Sequence, residues 1–466
     1  MRGCRAHHLT GRPGGLGPRP PGFTLWGLLM PLVDMKDMLA HAYANGYAVG
    51  AFELADLDFL PTVLAAAESA RAPVILRVAK PRSQDAVFAW AMAAVEAAGA
   101  RATVPVAIQF GGGTDADSVR HGVCLGANGV VASALRESLF RHIDRTRAIV
   151  DTAHACGVPV EGELAYVSDT DAGDGHASRT IQYATVAEAC GFVERTQVDF
   201  LVVSAAMVRG RGKSRLDWGR LKELNAALGM PLVIAGEMGL ADEHYRRLIM
   251  QGAAKISCSV VPDALAGERL RANVRRDRHA PYSALKEGLH EMIVAQIEPR
   301  LRAWGSAGRA AEVLDRCRPW TNILHVVVYD TPRLDAQALR ALMTEGQRLL
   351  SGIPGVRSVH AGSVADEGGR YRHCLLTRLA SVAAADAFRR HPAYTGFMDR
   401  RLAPVISDRI EGDYHMIDTI PEIAPRASSS APLCDLVRPS RDGAGHGQGL
   451  DGSGVSPTGI NRGKCS

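Results

Sequence analysis

Val104-Pro105-Val106-Ala107-Ile108-Gln109-Phe110, closing on Gly111-Gly112-Gly113, is the stretch on which the fold turns. It is almost continuously apolar, so a strand built from it is buried on both faces, as in a parallel sheet flanked by helices. Runs of the same kind recur about every 30 residues, separated by Ala/Leu/Arg/Glu stretches of helical period. The pattern predicts strands at Tyr47 to Phe52, Val74 to Val78, Val104 to Phe110, Gly129 to Ala132, Val158 to Leu164, Phe200 to Ala205, Leu232 to Ala235 and Ala254 to Cys258. Eight parallel strands, each followed by a helix, close naturally into a (β/α)₈ TIM barrel of about 250 residues. A doubly wound open sheet is the weaker alternative, because no G-x-G-x-x-G fingerprint follows the first strand; Gly111-Gly112-Gly113 follows the third and lacks the rest of the motif, and there is no P-loop.

Composition bounds what surrounds this barrel. The 466 residues hold 54 Lys+Arg against 49 Asp+Glu, with 47% hydrophobic types, which fits two or three globular domains. Residues 1 to 29 carry Arg2, Arg5, Arg12 and Arg19 with no acid, and the C-terminal stretch is also basic, so the middle is close to neutral. No basic face for nucleic acid is implied. The nine cysteines lie far apart with no C-x-x-C pair, which fits reduced thiols in the cytoplasm. Phe23 to Val33 is interrupted by Gly27 and Pro31 and lacks an A-x-A cleavage site, so neither a signal peptide nor a membrane span is expected. The amphipathic pattern begins at Asp34-Met35-Lys36-Asp37, which makes Met30 or Met35 the expected working start. Residues 1 to 29 and 419 to 466 read as disordered tails without a core-forming pattern.

Barrel chemistry gathers at the carboxyl ends of the strands. Those positions offer Glu53, Ala79 and Lys80, Gln109 with Gly111 and Gly112, Ser133, Glu161 and Glu163, Met207, Ala235 with Glu237, and Ser257 with Ser259. They contain no histidine, aspartate or cysteine pair.

Several framework stretches in order carry a resemblance: Met30-Pro31-Leu32-Val33, Tyr47-Ala48-Val49-Gly50-Ala51-Phe52, Pro73-Val74-Ile75-Leu76, Val104-Pro105-Val106-Ala107, Glu161-Gly162-Glu163-Leu164, Gly252-Ala253-Ala254-Lys255-Ile256 and Gly305-Ser306-Ala307-Gly308-Arg309-Ala310. Residues 30–312 resemble the class II, zinc-dependent ketose-bisphosphate aldolases. The resemblance implies a barrel in which three histidines hold zinc, zinc polarises a ketose carbonyl and an aspartate moves the proton. Carried over position by position, the aspartate falls on Gly111 and the histidines on Gly112, Met207 and Ala235. Supporting polar positions fall on Ser133, Glu53 and Ala79. The phosphate-binding remnants are Arg211, Gly236, Gly239, Ser257 and Ser259, with Glu237 standing inside the phosphate loop.

A catalytic zinc needs three protein ligands and one open position, so zinc, the family cofactor, is not expected here. Glu53, Glu161, Glu163 and Glu237 could at most converge on a hard cation through oxygen. Glu163, Glu53 and Lys80 are the candidate catalytic residues of the mouth, Lys80 because a desolvated lysine would support Schiff-base chemistry. Lys255 reads as lying at the far end of its strand. Asp169-x-Asp171-x-Gly173-Asp174-Gly175 is out of register for a calcium loop, and His176 reads as a solvated loop residue. Losing the base and the electrophile removes the family reaction. The expected function is an aldolase-like protein of carbohydrate metabolism without classical activity, binding a small, phosphorylated-sugar-like molecule. The alternative is a metal-independent or Mg-dependent lyase or isomerase acting on another sugar or oxo-acid.

Beyond Cys317-Arg318-Pro319 the period changes to a β-α-β-β-α-β order, a ferredoxin-like α+β unit. Leu324-His325-Val326-Val327, the turn Ile353-Pro354-Gly355-Val356, and His391-Pro392-Ala393-Tyr394 with Phe397 resemble the Dabb (stress-responsive α/β-barrel) family over residues 320–418. The resemblance implies a homo-oligomer, usually a dimer, and in some members a pocket for small carbonyl compounds. His325, His391 and Tyr394 are the candidate polar set of such a pocket.

Overall fold

The structure, a computed structural model, describes residues 30–416 apart from 80–84, 134–137, 168–180, 184, 204–206, 209–214, 236–239, 259–260 and 366–369. The two tails therefore lie outside the described residues. Eight parallel strands close into a barrel: β1 (Val49–Glu53), β2 (Val74–Val78), β3 (Val106–Gly113), β4 (Gly129–Ala132), β5 (Val160–Glu163), β6 (Phe200–Val202), β7 (Leu232–Ala235) and β8 (Ala253–Cys258). Each strand neighbours the next, and β8 pairs with β1. The TIM-barrel expectation is met, with strand ends displaced by up to three residues where closure sets the pairing.

Alternation sorts the side chains. Phe52, Leu76, Ile108, Val130 and Ile256 pack outward against the helices, while Val49, Ala51, Ile75, Ala107, Phe200 and Val233 fill the interior. The helix Met35–Ala44 closes the amino-terminal end. Asp34 caps it by accepting from the Lys36 and Asp37 amides, and Met35, Met38 and Leu39 join the interior cluster with no exposed surface. Gly129 is needed beneath it, because an added Cβ would lie 2.1 Å from the Met35 sulfur.

The second unit is an antiparallel sheet of β9 (Ile323–Tyr329), β10 (Val356–Ser363), β11 (His373–Leu379) and β12 (Arg409–His415) in the order β10-β11-β9-β12. Helices Ala336–Leu350 and Val382–Arg390 cover one face, which is the expected ferredoxin-like order. The other face carries half-buried Leu324, Val326, Val328 and Leu376 with exposed Ile410 and Tyr414.

This unit docks against the closed end of the barrel. Arg357 meets Glu96 through two hydrogen bonds of 2.5 and 2.6 Å and also donates to the Cys124 carbonyl. Ser381 donates to the Cys156 carbonyl at 2.6 Å, and the Cys124 thiol to the Val356 carbonyl at 3.0 Å. Burial alone would raise the Glu96 carboxyl, but Arg357, with Arg378 and Asn322, holds it below the ordinary value. Cys124 ends the helix before β4 and Cys156 lies in the turn before β5, so the second unit sits at the amino-terminal end of the barrel, opposite the mouth. Among the described residues no helix is long and apolar enough to cross a membrane.

Candidate active site

Inward-facing polar residues begin one layer below the carboxyl ends of the strands. Lys255, the third residue of β8, reaches across the barrel, where its Nζ donates to Glu161 on β5 and, at 2.6 Å, to Gln109 Oε1 on β3. Gln109 Nε2 donates to Glu161 Oε2 at 2.9 Å. Lys255 and Gln109 have no exposed surface and Glu161 has 1%. Lys255 stands in the amino-terminal half of β8, in register with the first residue of β1 as the sequence reading had it, and its amine extends across the buried interior. Burial pushes the ammonium below the ordinary lysine value, Glu161 opposes that, and Arg77 adds to it.

Above this trio stand Glu53, Arg77, Ser257 and Glu163. Glu53 pairs in register with Arg77, and Arg77 with Gln109, so the three share the inward face. Ser257 lies two residues beyond Lys255, on the same face, between Ala51 and Ala235. It is 1% exposed and its Oγ has no hydrogen-bond partner; the same holds for the buried Arg77 Nε. Glu163 is the half-buried last residue of β5.

The ends of β3, β4 and β5 are tied together from outside. Arg145 donates to the Thr114 and Ser133 carbonyls at 3.2 and 2.8 Å and to His142 Nδ1 at 2.9 Å, while His142 Nε2 lies 2.7 Å from the Glu163 carbonyl. Since a guanidinium can only donate, Nδ1 accepts and Nε2–H donates to the carbonyl. The His142 ring stacks on Phe192 with ring centres 5.2 Å apart.

Of the residues singled out from the sequence, the structure groups Glu53, Glu163 and Ser257 at the mouth. Lys80, Arg211, Gly236, Gly239, Ser259, His176 and Glu237 lie outside the described residues. Gly112 and Ala235 line the rim without a donor atom. Met207 begins a short strand whose side chains are also outside the description. Among the described residues no three His, Cys, Asp or Glu side chains gather as a metal cage, since Glu161 is taken by Lys255 and Gln109. His244 lies outside the mouth, exposed and stacked on Trp218. Arg77 escaped the sequence reading. Its signal was a lone charge inside Val74-Ile75-Leu76-Arg77-Val78.

In the second unit, His325 Nδ1 lies 2.7 Å from Asp413 and Nε2 lies 2.8 Å from the Tyr394 hydroxyl. His325 is 1% exposed and Tyr394 5%. Burial pushes the Tyr394 hydroxyl well above its usual range. Burial would also raise Asp413, but its hydrogen bond to His325 and the charges of His325 and Arg389 hold it low. His391 does not join them; it caps the helix Pro392–Phe397, its Nδ1 accepting from the Ala393 amide at 3.2 Å.

The comparisons with known proteins agree with this geometry. The model for class II fructose-bisphosphate aldolase matches residues 33–309. The chain belongs to the class II fructose-bisphosphate aldolase family. The model for the stress responsive A/B barrel domain matches residues 323–416 of this aldolase-family chain. A fructose-bisphosphate aldolase of Staphylococcus epidermidis is 30% identical over 288 residues, covering 60% of this chain and 100% of that protein. A probable fructose-bisphosphate aldolase of Bacillus subtilis is 30% identical over 293 residues, with the same coverage. The crystal structure of the YdjI aldolase of Escherichia coli K12 superposes with a TM-score of 0.50 at 24% identity, over 60% of this chain and 99% of that one. A putative fructose-1,6-bisphosphate aldolase of Coccidioides immitis gives 0.51 at 20% identity, over 59% and 98%. These two likenesses speak for the fold.

Proposed function

We propose that this aldolase-family barrel does not run the zinc-dependent reaction of its relatives and handles a small sugar- or oxo-acid-like molecule without a metal electrophile. The observation that carries the reading is the mouth itself. The positions that the family resemblance gives to zinc ligands hold Gly112, Met207 and Ala235, and the carboxylate of the barrel centre is neutralised by Lys255. Zinc is gripped by imidazole and thiolate in a tetrahedral set, and glycine and alanine supply nothing to it. The residues therefore do not fit the family's metal.

Elemental analysis of protein purified in the presence of zinc should give far less than one zinc per chain. Coupled assays with fructose and tagatose bisphosphates should give no turnover above background. Stoichiometric zinc with chelator-sensitive cleavage would overturn the reading.

The half-buried Arg77, with its Nε unpartnered, supports the alternative of a metal-independent lyase or isomerase, because a charge left unpaired out of water is costly and marks a ligand or functional site. The six described cysteines are all free thiols, which supports a cytoplasmic setting.

The second unit's open sheet face supports assembly with another copy. Leu324, Val326 and Val328 stand beside Leu376, Ile410 and Tyr414, an apolar surface whose burial would be favourable at about 25 cal/mol per Å². Sedimentation of the full chain at micromolar concentration should return twice the monomer mass, and Val326→Glu with Val328→Glu should return the monomer. A wild-type monomer under these conditions counts against the assembly.

A further inference from the structure

We propose that Arg77 and Ser257 form a carboxylate-binding site at the barrel mouth, built for a small hydroxy- or oxo-acid; this rests on the metal-free reading above. Arg77 is the one cation of the described barrel interior left without a counter-charge. Lys255 is already matched by Glu161 and Gln109, whereas the Arg77 guanidinium makes no hydrogen bond or ion pair, although Glu53 stands in register beside it. A half-buried guanidinium with an orphaned Nε needs an anion, and its planar fork suits a carboxylate held through two parallel hydrogen bonds.

Two further observations place the ligand. Gly111 lacks a side chain where an added Cβ would meet Arg77 Nε at 2.9 Å, so the backbone of β3 comes close to the guanidinium. Ser257 is almost fully buried, faces the same interior and has an unpartnered hydroxyl, which supplies a donor or acceptor for the carboxylate or the neighbouring oxygen of the acid. Charge selects among anions. Glu53 stands in register beside Arg77, so a phosphate dianion is repelled there more strongly than a singly charged acid. The hydroxyl or keto end of that acid then lies within the layer of Glu53 and Ser257, groups that can accept and donate to it.

Isothermal titration calorimetry of the full chain with pyruvate, glycolate and inorganic phosphate at neutral pH tests the site, with thermal unfolding of each variant as the check on folding. Saturable binding of pyruvate or glycolate, tighter than phosphate, is expected. Arg77→Met should weaken it by roughly 10- to 100-fold and Ser257→Ala by roughly 5-fold, as the loss of a charge-assisted and a neutral hydrogen bond predicts. If Arg77→Met does not fold, Arg77→Lys, which keeps the charge and loses the fork, should still weaken binding roughly 10-fold. No binding of either acid, phosphate binding as tightly, or folded Arg77 variants with wild-type affinity would each overturn the site. Zinc content measured on the same samples separates the two ideas: bound metal counts against the metal-free reading, and Arg77-independent affinity against the carboxylate site.

Discussion

Lys255→Met is expected to lower the free energy of unfolding by about 3–5 kcal/mol, the cost of leaving one partner of a buried ion pair uncompensated. Glu161 would then stand in the barrel centre with 1% exposure and only the Gln109 amide, 2.9 Å away, as a donor. Glu161→Leu should cost a similar amount by stranding the ammonium. The double variant Lys255→Met with Glu161→Leu should recover most of either loss, because a well-packed apolar pair of similar volume often equals or exceeds a buried ion pair. Urea unfolding of the four proteins at neutral pH gives the coupling energy directly. Additive losses, with no recovery in the double variant, would show that the pair does not hold the barrel centre.

His325→Leu should cost about 2–4 kcal/mol in the second unit, since it orphans the buried Tyr394 hydroxyl and one oxygen of Asp413. His391→Ala should cost no more than about 1 kcal/mol, the worth of a helix cap. The two histidines looked alike in the sequence, and the contrast separates a buried relay from a local cap. Acid titration adds a second readout. Asp413 has a folded value below the ordinary 3.8, so its contribution is fully present above that value and is lost as the pH falls through the lower folded one. Asp413→Asn should be less stable near neutrality and should lose that limb of acid sensitivity. A His325→Leu protein as stable as wild type, or an unchanged acid limb in Asp413→Asn, would contradict this account.

The tightness of the relay bears on the second unit's role. His325 and Tyr394 are nearly closed to solvent and Asp413 is half-buried, so the ring nitrogens already have partners within the fold. They join the sheet, through β9 and β12, to the helix Pro392–Phe397, which is structural work. The same unit is fastened to the barrel by the Glu96–Arg357 fork at the end opposite the mouth. Whatever the mouth binds therefore meets barrel residues alone among those described.

The sequence by itself determined the architecture. Val74-Ile75-Leu76 and Val106-Ala107-Ile108 are apolar on both faces because parallel strands are covered from both sides, and that pattern survives in any one segment read alone. The change to alternation in β9, from Ile323 to Tyr329, marked the second unit for the same reason. It also determined that Gly112 and Ala235 bring no side-chain donor to the rim. Only the tertiary structure decided which charges meet. Lys255 and Glu161 are 94 residues apart in the chain, and nothing local says that barrel closure will set them against each other and against Gln109. Arg77 looked like an interruption in an apolar strand until closure turned it inward, and Ser257 like a remnant until its hydroxyl was found buried and unpaired. Strand propensity is a property of neighbours in sequence. The partner of a buried charge is a property of distance across the core, which exists only once the chain has folded.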